Sequence, residues 1–167
     1  LYGFAKQFIK PITLIQTSIY NVLMPKMINL MSSDNFEKVL IFVKNYTLKT
    51  FTLMILACLL LYPFLDNFII FASKNNYTDA KSIILILMLA CTLTISFLPF
   101  YPIALKLNLV GRRNIIVSFR FIYLLSIVLT NFSAISFACS NLAGVITTRI
   151  FFDTYAYKKI KNVIKKK

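Results

Sequence analysis

The chain has 167 residues, of which 59% are hydrophobic and only 14% charged, and its mean hydropathy is +0.76. This apolar fraction exceeds what a soluble domain of this size can bury, which excludes an ordinary water-soluble protein. The net charge of +14 at first suggests nucleic acid, but the basic residues flank apolar stretches, where membrane topology and anionic lipid place them. We therefore expect the lipid bilayer as a partner and no nucleic acid.

Five apolar stretches follow one another along the chain, each near the ~20 residues that cross a hydrocarbon layer of ~30 Å. They cover residues 4–31, 48–72, 82–105, 115–132 and 134–152, and a basic tail follows at 153–167. The sequence predicts an all-α polytopic membrane protein with about five transmembrane helices.

The basic residues alternate between crowded and nearly empty loops. The crowded segments contain Lys26, Lys38, Lys44 and Lys49 around the junction of the first two stretches, Lys106, Arg112 and Arg113 after the third, and Lys158, Lys159, Lys161, Lys165, Lys166 and Lys167 after the fifth. Under the positive-inside rule these segments are cytoplasmic. The N-terminus of the segment is then outside and its C-terminus inside. Because Leu1 is not Met and no signal peptide is visible, we expect the tail of a longer protein whose N-terminal lobe is absent.

One side of the first stretch is polar over about its first five turns. At helical spacing it carries Gly3, Lys6, Lys10, Thr13, Thr17, Tyr20 and Asn21. The opposite side carries Phe8, Ile12, Ile15, Ile19 and Val22. Lys6 can extend to the outer interface, whereas Lys10 lies about a turn deeper and has no carboxylate partner on its helix. This polar side, which we call the α1 stripe, is a candidate wall of a water-filled cavity.

The second stretch is preceded by an amphipathic segment. Asp34 and Glu37 resemble a helix-capping pair that starts a new helix. One side of this helix carries Phe36, Val39, Leu40, Val43 and Thr47, with Lys38 and Lys49 opposite. Either an amphipathic surface helix or a span protruding from the bilayer explains the pattern.

Helix bends and single cysteines recur in the apolar stretches. Proline lies within or beside them at Pro11, Pro63, Pro99 and Pro102, positions that either bend a carrier or are passive kinks. Cys58, Cys91 and Cys139 lie in three different stretches, and we interpret each as a small buried apolar residue without a disulfide or metal.

Two arginines lie inside the last two stretches. Arg120 lies about five residues inside the fourth, where it either extends to the cytoplasmic surface or lines a cavity. Arg149 lies in the last turn of the fifth, four residues before Asp153, and this spacing favours a structural ion pair.

The chain lacks the residues that common enzyme sites need. It has no His, three Gly and five acids, none of which we place in the middle of the membrane. Neither a paired-carboxylate site, nor a nucleophile with a His base, nor a glycine-rich phosphate loop is present. We therefore expect a transporter and not an enzyme, without a cofactor. Unpaired cations inside the membrane favour an anionic cargo such as a phosphate or diphosphate head group.

Five short runs occur in order along the chain: Tyr2-Gly3-Phe4-Ala5, Pro25-Lys26-Met27-Ile28 closing the first helix, Asn35-Phe36-Glu37-Lys38 after it, Tyr77-Thr78-Asp79-Ala80 opening the third stretch, and Asn108-Leu109-Val110-Gly111 before a basic pair. Together they resemble the C-terminal half of polysaccharide flippases, the Wzx-type O-antigen transporters of the multidrug/oligosaccharidyl-lipid/polysaccharide superfamily. The order and spacing of the runs extend over nearly the whole chain. The resemblance implies two lobes around a central cavity, with this chain as the C-terminal lobe.

The resemblance further implies a flippase of the bacterial inner membrane in O-antigen, lipopolysaccharide or capsule biosynthesis. It would carry undecaprenyl-diphosphate-linked oligosaccharide by alternating access, with a polysaccharide polymerase and a chain-length regulator as further candidate partners. The candidate substrate-binding residues are Lys6, Lys10 and Arg120 for the diphosphate or acidic sugars, and Thr13, Thr17, Tyr20 and Asn21 for sugar hydroxyls. The alternatives are a multidrug antiporter, a peptidoglycan lipid flippase, a membrane polysaccharide polymerase subunit or a scaffold. A multidrug antiporter is disfavoured because we expect no intramembrane acid.

Overall fold

The computed structural model describes residues 1–32, 36–74, 77, 79–130 and 133–165, and 93% of it is helical with no β-strand among these residues. The α-helices are α1 (Tyr2–Ser32), α2 (Phe36–Leu61), α3 (Leu65–Ser73), α4 (Ala80–Ser96), α5 (Phe100–Lys106), α6 (Val110–Thr130), α7 (Ala134–Thr148) and α8 (Thr154–Lys165). A 3₁₀ turn, Tyr62–Phe64, joins α2 to α3, and a π-helical turn, Arg149–Asp153, joins α7 to α8. The predicted all-α class is confirmed.

Apolar helices long enough to cross a membrane are present in the described part of the chain. Phe36–Ser73 and Ala134–Ile164 qualify by length and composition, and α4 with α5, bent by 48°, can form a third span. These helices are compatible with a membrane protein. The first predicted stretch coincides with α1, but the polar residues of the α1 stripe lower its hydropathy, and α1 does not belong to this set. The arrangement with five spans stays a prediction.

The prolines affect the helices differently. Pro63 lies in the 3₁₀ turn and Pro99 at the α4–α5 bend, as a missing backbone donor predicts. The run from Pro25 to Ile28 does not close α1, which continues to Ser32 and so matches the predicted end of the first stretch at residue 31. Met27 and Met31, beyond the proline, are 0% and 3% exposed. Burying a methionine stabilises by about 1.5–3 kcal/mol, so two of them offset the cost of an interior proline, about 3 kcal/mol.

The first turns of α2 are amphipathic, as the sequence predicts. Phe36, Val39 and Val43 are buried, while Lys38 and Lys49 lie on the exposed side. This segment continues without a break into the apolar part of α2. Asp34, the other half of the expected capping pair, lies outside the described residues.

Two apolar clusters hold the helices together at opposite ends. The α3 cluster contains Ala5, Ile9, Leu65, Ile69, Ala80, Ile83, Ile84, Leu87, Met88 and Ala138. The α8 cluster contains Leu23, Met27, Met31, Phe36, Val39, Val43, Phe100, Ile103, Ala104, Leu109, Phe152, Ala156 and Ile160. The helix α1, the pair α4–α5 and the continuous α7–α8 segment each contribute to both clusters. The middle of each therefore lies between the two.

The short connection between α5 and α6 positions the first turn of α6. Asn108 adopts a left-handed backbone conformation with φ of 53°, which Asn tolerates better than most residues. Leu109 N then donates to Ala104 O at 2.8 Å, and Lys159 Nζ of α8 donates to Leu107 O at 3.2 Å. These bonds satisfy carbonyl groups at the end of α5 and fix the direction of α6.

The cysteines differ in exposure. Cys58 and Cys91 are half-buried, and Cys58 Sγ lies 3.8 Å from Thr92 Oγ1. Cys139 is exposed, so the expectation that all three are buried is wrong there. Its neighbour Ala138 takes the inward position in the α3 cluster, which turns Cys139 outward.

Candidate functional site

A polar pocket of about 280 Å³ lies between α1, the α4–α5 bend, the first turn of α6 and the π-helical turn. We call it the arginine pocket. Its polar lining consists of Gln16, Tyr20, Thr94, Tyr101, Arg113, Arg149 and Asp153. Gln16 stands midway between Ile9 of the α3 cluster and Leu23 of the α8 cluster, at about 10 Å along the helix axis from each. The pocket therefore occupies the zone between the two apolar clusters.

The α4–α5 bend supplies one wall of the pocket. At the end of α4, Leu98 N bonds to Ile95 O at 3.2 Å, a three-residue step that leaves Thr94 O without its usual helical donor. Pro99 has no N–H and cannot restore the helical pattern. Arg149 Nη2 donates to Thr94 O at 3.3 Å instead. The bend thus creates the acceptor that orients the arginine.

The π-helical turn brings an ion pair into the pocket. Arg149 Nη1 donates to Asp153 Oδ2 at 3.1 Å, which confirms the pair predicted from their spacing. The side chain of Asp153 is only 3% exposed and that of Arg149 18%. Asp153 Oδ1 and Arg149 Nε are buried and make no hydrogen bond among the described residues. Turns of this type are rare and frequently occur at functional sites.

Aromatic rings hold the second cation of the pocket. The Arg113 guanidinium lies 4.8 Å from the centroid of the Tyr101 ring. The Tyr101 ring in turn meets the Tyr20 ring edge to face, with centroids 5.7 Å apart. Arg149 lies over Phe97 at 5.6 Å. Each guanidinium is therefore positioned against an aromatic face, which leaves N–H donors available toward the pocket.

The residues predicted from the α1 stripe divide into two groups. Tyr20 lines the arginine pocket. The others are exposed on α1, and they are Lys6, Lys10, Thr13, Thr17 and Asn21. The Thr13 and Thr17 hydroxyls donate to the carbonyls of Lys10 and Thr13, at 2.7 and 3.0 Å. Their hydrogens therefore bond to the backbone of their own helix. Arg120 lies on α6, but its side chain lies outside the described part of the structure.

Sequence reasoning did not assign several residues to the site. Arg149 and Asp153 were interpreted as a structural pair, Arg113 as a loop cation, and Gln16, Thr94 and Tyr101 were not selected. Asp153 lies in the π-helical turn, which packs against α6, α7 and α8, and its side chain is buried within the protein. The available signal was an ion pair at the end of an apolar helix, together with Pro99 in the neighbouring stretch.

The pocket combines two guanidinium groups with one carboxylate, which gives a formal charge of +1, and it adds the side chains of Tyr20 and Gln16. Such a lining can bind an anionic group with several acceptor oxygens. In the described residues, no group of three or more His, Cys, Asp or Glu could hold a metal ion. The chain matches no known protein-family model, no curated protein sequence and no solved structure.

Proposed function

We propose that this chain is the C-terminal lobe of a membrane carrier that flips an undecaprenyl-diphosphate-linked oligosaccharide across the bacterial inner membrane. The observation that carries the proposal is the arginine pocket, a cationic cavity between apolar helices. Two half-buried arginines are costly among apolar helices unless negative or polar groups balance their charge, and the pocket contains one carboxylate for two guanidinium groups. A phosphate-bearing cargo would supply the remaining negative charge.

In the proposed mechanism this lobe rocks against an N-terminal lobe and exposes the cargo site to each side of the membrane in turn. Five spans, with the first residue outside and the last inside, give the lobe the orientation that its basic loops predict. The α1 stripe faces the other lobe across the central cavity. There Lys6 and Lys10 attract the anionic cargo, and Thr13, Thr17 and Asn21 contact its sugars.

A second candidate is an exporter of cationic compounds from the same superfamily. The observation in its favour is Asp153, a buried carboxylate that lines the pocket and has one unpartnered oxygen. Two arginines beside this single acid make the pocket repel a cation, which favours the anionic cargo. A peptidoglycan lipid flippase shares the anionic chemistry and differs in the sugars it carries. A polymerase subunit would need catalytic groups, and the pocket supports this class less well.

The test follows the sidedness of labelled undecaprenyl-linked oligosaccharide in inner membranes. Cells lacking the gene that encodes this chain are compared with cells complemented by the wild-type gene or by Arg149→Gln. We expect the labelled lipid to accumulate in the cytoplasmic leaflet without the gene and to reach the outer leaflet with the wild type. Arg149→Gln should not restore it at matched protein level.

The matched control is Arg112→Gln, because Arg112 is the neighbour of Arg113 but does not line the pocket. It should restore transport. An unchanged distribution of the lipid in the deletion strain would contradict the flippase proposal, and export of a cationic dye that depends on Asp153 would favour the second candidate. Lysis of depleted cells would indicate a peptidoglycan precursor instead of a surface polysaccharide.

A further inference from the structure

The ion pair in the arginine pocket is only partly formed. Arginine and a carboxylate commonly pair through two parallel hydrogen bonds. Here the described contact is one bond, from Arg149 Nη1 to Asp153 Oδ2, while Nη2 donates to the Thr94 carbonyl. The remaining oxygen of Asp153 and the Nε of Arg149 are both buried and both unpartnered. The Asp153 carboxylate thus pairs with Arg149 without accepting from all of the arginine's N–H groups.

The pocket holds more donors than this carboxylate takes up. The side chain of Arg113 packs on the Tyr101 ring and makes no hydrogen bond within the described part of the chain. Arg113 and Arg149 both line a cavity of about 280 Å³, which is several times the ~30 Å³ of a water molecule. A phosphate group has more acceptor oxygens and a larger negative charge than a carboxylate, so it fits this donor set better.

We infer that Asp153 is an internal anion that holds Arg149 when the pocket is empty and that a phosphate or diphosphate group displaces from it. This inference rests on the proposed anionic cargo. It adds that the acid in the pocket weakens cargo binding and keeps a buried arginine paired between transport cycles. A purely structural pair would have no such competition with a ligand.

The inference predicts whether one substitution strengthens or weakens pyrophosphate binding. Asp153→Asn removes the competing charge but keeps the size of the side chain and an oxygen that accepts from Arg149. Because a hydrogen bond between charged groups contributes on the order of 1.5–3 kcal/mol, we expect pyrophosphate to bind about tenfold to a hundredfold more tightly. If Asp153 only positions Arg149, Asp153→Asn should instead weaken pyrophosphate binding, because the arginine would lose its position.

The experiment measures pyrophosphate binding by isothermal titration calorimetry on the full chain in detergent micelles. Wild type, Asp153→Asn, Arg149→Gln and Asp66→Asn are compared. Asp66 is the matched control, because it is also an acid paired with a base, Lys81, but it is exposed on α3, away from the pocket. We expect tighter binding in Asp153→Asn alone and loss of binding in Arg149→Gln. Equal or weaker binding in Asp153→Asn would overturn the inference.

A second measurement uses only the wild type and so does not depend on the folding of a variant. An apolar carbodiimide labels carboxyl groups, and mass spectrometry gives the extent of labelling at Asp153. Displacement from Arg149 predicts more labelling when pyrophosphate is present, and less or unchanged labelling would overturn it. If pyrophosphate does not increase labelling of Asp153, the inference about Asp153 is wrong, but the flippase proposal stands because lipid sidedness tests it separately. Unchanged lipid sidedness in the deletion strain would contradict the flippase proposal but not the displacement of Asp153 by pyrophosphate.

Discussion

The α1 stripe and the arginine pocket are two polar regions with opposite structural status. The stripe lies on one helix, its cations Lys6 and Lys10 are exposed, and neither makes a hydrogen bond or ion pair among the described residues. The pocket draws its residues from α1, the α4–α5 bend, α6 and the π-helical turn, and its ion pair is buried. Among the described residues, the chain thus has exposed cations without a partner on α1 and a pocket whose cations are only partly paired by its own fold.

The two regions therefore contribute differently to the stability of the fold. Exposed cations contribute little to folding. The buried pair is coupled to folding, because an unpaired charge at the same place is strongly unfavourable. The two regions should therefore respond differently to substitution, and Tyr20 lies where they meet.

The largest expected effect is on stability, when Arg149 is replaced by Met. This change leaves Asp153 buried without its partner, which costs about 3–5 kcal/mol. We expect the free energy of unfolding, measured by denaturant titration in micelles, to fall by that amount. The double variant Arg149→Met with Asp153→Leu should recover most of the loss but not transport. A single variant as stable as wild type would mean that the pair is not effectively buried.

The next effect is on ligand binding, when Arg113 is replaced by Gln. Arg113 and Arg112 both lie over tyrosine rings, at 4.8 Å and 4.9 Å, but only Arg113 lines the pocket. Loss of charged hydrogen bonds should weaken pyrophosphate binding about tenfold in Arg113→Gln. Arg112→Gln should bind within about twofold of wild type. Equal losses in both variants would show a general electrostatic effect instead of a pocket.

Much of the fold was predictable because its signals are local. The apolar stretches predicted the helices, and the spacing of Phe36, Val39 and Val43 predicted the amphipathic start of α2. The missing donor of Pro99 indicated a bend, and the four-residue spacing of Arg149 and Asp153 indicated their ion pair. Each of these features depends on residues within a turn or two of one another.

The pocket was not predictable in the same way, since it depends on contacts between distant segments. Thr94 becomes an acceptor only because the bend leaves its carbonyl without a donor, and Arg149 reaches it from 55 residues away. Helical periodicity finds a polar side on one helix, whereas a cluster assembled from four segments leaves no periodic signal.

A smaller effect is expected for the α1 stripe, when Lys10 is replaced by Ala. Lys10 is exposed and without a partner in the described structure, so the free energy of unfolding should change by less than about 0.5 kcal/mol. If the stripe attracts cargo, transport in the lipid-sidedness assay should fall about tenfold, the effect of about 1.4 kcal/mol. Lys44→Ala on α2 is the matched exposed control and should leave transport unchanged. Normal transport in Lys10→Ala would remove the stripe from the proposed site.

The smallest expected effect comes from Tyr20→Phe, which tests whether Tyr20 acts in the arginine pocket or in the α1 stripe. The variant keeps the edge-to-face contact with Tyr101 and removes only a hydroxyl, one hydrogen bond worth about 1 kcal/mol. If Tyr20 serves the arginine pocket, pyrophosphate binding and transport should both weaken about threefold to fivefold. If it serves the stripe by contacting a sugar, transport should weaken while pyrophosphate binding stays the same. Tyr157→Phe, at an exposed position of α8, is the control. No change in either measurement would place Tyr20 in neither region, because its hydroxyl would then contact no part of the cargo.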